Sequence, residues 1–147
     1  MEKYEKVILK RFENFDVSSK EKAIESFKKL WRDENKFIQH IKKREELGHI
    51  KDKFDYLEKT LKCLATTEYI NIAIYKKSWD NIYFEAISKD WAVIFNENGE
   101  IMTSYKIENK KLHFIDVHKK ADILLKGVKN ELQSTFKTIY DIYKHNS

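Results

Sequence analysis

The chain has 147 residues, enough for one domain with a sizeable core, and its 41% hydrophobic content excludes an intrinsically disordered chain. A single cysteine, Cys63, excludes an internal disulfide and a multi-cysteine zinc site, and the formal charge of +5 permits nucleic acid as a partner without demanding it. Charged residues follow Met1 and no apolar run is long enough for a signal segment or a membrane span, so a cytoplasmic protein with no membrane partner is expected.

The first element is a short amphipathic helix over Glu2–Phe12. A loop at Asp16–Ser19 follows, and Ser18 with Glu21 has the spacing of a capping box. From there Ala23, Ile24, Phe27, Leu30, Trp31, Phe37, Ile38 and Ile41 recur at helical spacing, which predicts one long helix over Lys20–Leu47, stopped by Gly48. A further helix is predicted over Lys51–Ala65, with Phe54, Leu57, Leu61 and Leu64 on one stripe. Strands are predicted at Tyr69–Tyr75, Ile82–Ile87, Trp91–Phe95, Ile101–Ile107 and Leu112–Val117. A last helix is predicted over Lys119–Lys144, with Gly127 inside it.

This order predicts an α+β fold: an antiparallel four- to five-stranded meander packed against N-terminal helices and a C-terminal helix. Residues 1–147 read as a single domain, with a helical extension over 1–47, a core over 48–117 and a helix over 118–147. Charge is uneven between these parts. The first has thirteen basic against ten acidic residues, the core ten against eleven, and the last six against three.

The most informative stretch is Asp90–Ile107. Trp91–Phe95 is apolar at every position, so that strand should be buried on both faces. Asn96–Gly99 supplies a turn in which Gly99 takes a positive φ. The return strand carries Thr103, Ser104, Tyr105 and Lys106, with Thr103 and Tyr105 on one face and Ser104 and Lys106 on the other.

This hairpin resembles that of the colicin D toxin domain and, more widely, the barnase/EndoU/colicin/RelE-like nuclease group. The similarity extends to Ile74-Tyr-Lys-Lys77, to Asp80-Asn-Ile-Tyr-Phe84 and to Gly48-His49-Ile50 ahead of a helix; it covers about residues 48–117. It implies a small α+β endoribonuclease, toxin-like, working without metal or other cofactor. RNA, tRNA included, would be the substrate, and a cognate immunity or antitoxin protein the partner.

Metal-independent RNA cleavage needs a base, an acid and cations for the phosphorane charge. His49 is the candidate proton carrier, with Lys51 and Lys53 beside it; the alternative is a surface histidine next to a glycine helix stop. The resemblance puts Thr103 and Tyr105 in the site, where a hydroxyl binds phosphate and a ring stacks a base. Patterning alone leaves that face open to a second reading, because Ile101 and Ile107 share its parity. Lys76, Lys77 and Lys106 would line the RNA path. His40 reads as lying on the solvated side of its helix, and His113 with His118 lacks a third metal ligand. A reading from another class stays open: a non-catalytic binding module such as an immunity protein, an antitoxin or a phage-borne regulator.

Overall fold

The computed structural model describes residues 2–67, 69–75, 81–108, 121–127 and 130–146. Within them the chain is α+β. Its helices are α1 (Glu2–Phe12), α2 (Lys20–Leu30), α3 (Glu34–Glu46), α4 (Lys53–Ala65) and α5 (Asn130–His145). Its strands are β1 (Tyr69–Tyr75), β2 (Asn81–Ser88), β3 (Trp91–Phe95), β4 (Ile101–Lys106) and β5 (Ala121–Gly127), joined in the order β4-β3-β2-β1-β5.

The four pairings between these strands are all antiparallel. The sheet is nonetheless not a simple meander, because β5 returns to the far side of β1. Ala121–Gly127 lies inside the predicted C-terminal helix, and here the structure differs. A short apolar run such as Ile123-Leu124-Leu125 suits strand or helix equally by periodicity, and its pairing with β1 decides the matter. The helix starts only at Asn130. The predicted strand Leu112–Val117 lies outside the described residues.

The predicted long helix is also two. α2 ends where Trp31 turns extended, at φ −77 and ψ 142, and bridges to Ile101. Asp33 then restarts the helix by accepting the Asn35 amide at 2.8 Å. Breaking the helix puts Trp31 into the core, where it touches Phe27, Phe37 and Tyr56. The same break leaves Ile38 exposed, against the expectation that it packs. The N-cap of α2 is Ser19, which accepts the Lys22 amide at 3.1 Å, rather than Ser18.

The helices cover one face of the sheet. α4 packs on β2, β3 and α5, and α1 reaches α5. The core they enclose includes Phe84, Ala86, Val93, Phe95 and Ile101 from the sheet, with Ile8, Phe12, Phe27, Tyr56, Leu61 and Phe136 from the helices. The N-terminal helices thus share one core with the rest of the chain. A smaller cluster of Ile87, Ala92 and Ile107, with Tyr105 against it, lies on the other face.

Candidate functional site

The end of α3 sets the position of His49. Gly48 takes φ +73, its amide donates to the Glu45 carbonyl, and the His49 amide donates to the Arg44 carbonyl at 3.0 Å. This is a Schellman stop, in which the left-handed glycine lets the chain turn back over the last helical carbonyls. His49 is thereby delivered to a cleft of about 440 Å³ between α4, the β2–β3 turn, the end of β4 and α5.

α4 and its C-cap contribute Lys59, Lys62, Cys63 and Thr66, at i, i+3, i+4 and i+7 and so on one side of the helix. The turn contributes Ser88, Lys89, Asp90 and Trp91, with Lys89 at φ 44. Two short bonds clamp the turn to the end of α4: the Thr66 and Ser88 hydroxyls lie 2.7 Å apart, and the Ser88 hydroxyl donates to the Thr66 carbonyl at 2.8 Å. Lys106 enters from β4, and Tyr140 and Lys144 from α5.

Five lysines and two carboxylates, Glu58 and Asp90, line this cleft. Lys59 is held by Asp55 at 3.0 Å, and Lys144 by Glu58. Hydrogen bonding to Glu58 also raises the Lys144 ammonium above its ordinary value, so it stays charged. Lys62 and Lys106 are exposed and make no ion pair among the described residues. Burial pushes the Cys63 thiol up, and its sulfur donates to the Trp91 carbonyl at 3.3 Å, so it is a structural thiol rather than a nucleophile. Burial, and then Glu58, likewise raise the Tyr140 phenol.

His49 is nearly buried, with 13% of its side chain exposed. Its Nε2 lies 3.1 Å from a Glu108 carboxylate oxygen, whereas its Nδ1 is buried and has no partner among the described residues. With Nε2 beside an acceptor, the neutral ring carries its proton on Nε2.

The fold brings His49 and Lys106 together. It does not bring Thr103 and Tyr105 to them. A register shift between Ile94 and Phe95 on β3, opposite the Ile101–Thr103 step of β4, resets the alternation. Ile101 and Ser104 therefore both point at the helices, each almost fully buried. Tyr105 packs with Ile87, Ala92 and Ile107 on the other face. The groups that meet Thr103 and Tyr105 come from α3: His40 Nδ1 lies 3.4 Å from the Thr103 hydroxyl, and the Arg44 guanidinium sits 5.9 Å from the centre of the Tyr105 ring. Arg44 Nε also donates to the Ser104 carbonyl at 3.3 Å. His40, expected on a solvated side, is half-buried against Trp31.

Lys51 and Lys53 stand apart from the cleft. Lys51 lines a neighbouring depression of about 310 Å³ with Lys20, Phe54 and Tyr143, whose phenol burial pushes up to about 12. The Lys53 ammonium lies 5.4 Å from the centre of the Phe54 ring. Lys76 and Lys77 lie outside the described residues, as do His113 and His118. No motif in the sequence marks Lys59, Lys62, Lys89 and Lys144 as cleft residues, or His40 and Arg44 as partners of β4. The i, i+3, i+4 and i+7 spacing of Lys59, Lys62, Cys63 and Thr66 is the available signal; nothing local connects Lys89 or Lys144 to it.

The chain belongs to the family described as Uncharacterised protein aq_aa01, whose model matches residues 21–144. That span holds α3, α4, the whole sheet and every residue lining the cleft. No curated protein and no solved structure matches the chain.

Proposed function

We propose that the protein binds RNA through its lysine-lined cleft. The observation that carries this reading is the excess of five lysines over two carboxylates around one concavity, with Lys62 and Lys106 free of ion pairs among the described residues. Phosphate contacts from such lysines supply salt-dependent affinity. The resemblance of the β3–β4 hairpin to nuclease domains supports RNA over other polyanions. The test is titration of a single-stranded RNA oligonucleotide at several salt concentrations. Lys62→Gln and Lys106→Gln should each weaken binding and lower the salt slope by about one. Affinity unchanged in the double variant would remove the cleft from the reading.

The presence of His49 and Lys106 in one cleft favours a second, catalytic reading: a metal-independent endoribonuclease, toxin-like and acting on RNA such as tRNA, with a cognate immunity or antitoxin protein as partner. In it His49 is the proton carrier and the lysines hold the scissile phosphate. Cleavage in the presence of a chelator, leaving a 2′,3′-cyclic phosphate and falling roughly 10²–10⁴-fold in His49→Gln, is the expected result. Binding without cleavage, with expression tolerated by the host cell, leaves the non-catalytic binding module.

A further inference from the structure

The His49–Glu108 contact has the form of a place-holder. Glu108 is exposed, with 74% of its side chain open to solvent, and its carboxylate oxygen rests on Nε2, the one nitrogen of His49 that has a partner among the described residues. Glu108 follows directly on Ile107, whose amide donates to the Asp90 carbonyl at 2.6 Å, so the backbone that carries it is pinned to the turn that forms the cleft wall. His49 itself is held from behind by the Schellman stop. The fixed part of the pair is therefore the imidazole, and the replaceable part is a solvated carboxylate on its rim.

A carboxylate and a phosphate oxygen accept the same hydrogen bond from an imidazole N–H, and ion pairs with a largely exposed member are weak. Lys106 and Lys62 line the same cleft and have no carboxylate of their own among the described residues. We infer that the Glu108 carboxylate occupies the seat of a ligand phosphate on His49, and that it competes with that phosphate as a built-in inhibitor. The inference rests on the reading of the cleft as a phosphate site and goes beyond it. It assigns the acceptor position on His49, and it gives Glu108 the role of opposing ligand entry.

The experiment measures binding of inorganic phosphate and of a single-stranded RNA oligonucleotide to the full chain at fixed pH and ionic strength. Glu108→Gln keeps the shape and removes the competing charge, and its exposure makes misfolding a minor concern. Glu97→Gln, an exposed carboxylate in the β3–β4 turn at the other end of the hairpin, controls for net charge. Glu108→Gln should tighten phosphate binding about two- to fivefold, the scale of an exposed ion pair, whereas Glu97→Gln should not. In the wild type, added phosphate should shift the His49 Nε2 resonance. RNA binding that depends on Lys62 and Lys106 but is unchanged by Glu108→Gln overturns this inference and leaves the cleft reading standing. Equal gains from both substitutions overturn it too, since net charge would then suffice. Absence of phosphate and RNA binding in every form overturns both.

Discussion

Trp91 donates its indole N–H to the Ser104 hydroxyl at 2.8 Å, across neighbouring strands and two residues out of register, since Val93 is the residue facing Ser104. The bond begins a chain. Thr60 donates its own proton to the Tyr56 carbonyl at 2.8 Å, so in the 2.7 Å contact between the two hydroxyls Ser104 is the donor. The Tyr56 phenol donates to the Ser104 carbonyl at 2.5 Å, which closes the link between α4 and β4. A serine on the edge strand β4 is thus fully satisfied with no access to solvent.

Ser104→Ala should destabilise the fold by about 1–3 kcal/mol, because it leaves a buried indole N–H without an acceptor. The same substitution made in a Trp91→Phe background should cost less, since the orphaned donor is then gone. Chemical denaturation of the four proteins in the cycle measures both numbers. Equal cost in the two backgrounds would mean that the indole bond contributes nothing.

Two glycines give a second comparison. Gly48 and Gly99 both have positive φ, +73 and +76, but a Cβ at Gly48 meets nothing within 4 Å among the described residues. At Gly99 it would lie 3.0 Å from Val7 Cγ1 and 3.1 Å from the Val7 carbonyl oxygen, in the seat of α1. Gly48→Ala should cost about 1–2 kcal/mol from backbone strain alone. Gly99→Ala should cost more, by roughly 1–3 kcal/mol of overpacking. A thermal scan ordering them the other way would show that α1 yields freely.

Trp31→Ala should cost roughly 3–5 kcal/mol, as expected for a large residue only 5% exposed amid Phe27, Phe37 and Tyr56. Trp31→Phe should cost less, because the buried indole Nε1 has no hydrogen-bond partner among the described residues. A loss near zero for the alanine variant would place the ring outside the core.

What was legible in the sequence follows from how local each signal is. The α+β class came from periodicity, and the Gly99 turn and the Gly48 stop came from residues whose conformational needs are their own. The break between α2 and α3 was not legible from the apolar stripe, which runs on through Trp31; only Asp33 marked it, as a helix start. The face of β4 could not be read from alternation, because one bulge moves Ser104 inward and turns Thr103 and Tyr105 away. Of the site, His49 and Lys106 were legible and do share the cleft. The lysines that complete it come from α4, a turn and α5, and only the fold makes them neighbours.

His40 gives the chain a pH dependence whose sign is fixed. Burial against Trp31 is the largest effect and lowers its pKa below the ordinary value of 6.5, and the positive charges of Arg44 and Lys36 lower it further. The Thr103 hydroxyl is the neutral group facing it from β4. The folded state therefore favours the neutral imidazole, while the unfolded chain takes up its proton near 6.5. Below that value the unfolded state binds more protons, so stability falls as pH drops from about 6.5 toward the folded pKa; above it the contribution is complete. His40→Gln should remove this part of the slope, and its stability relative to wild type should rise as the solution is acidified. An NMR titration of the His40 ring should give a midpoint below 6.5. A midpoint at or above 6.5 would mean that the ring is solvated and that α3 does not seat it against β4.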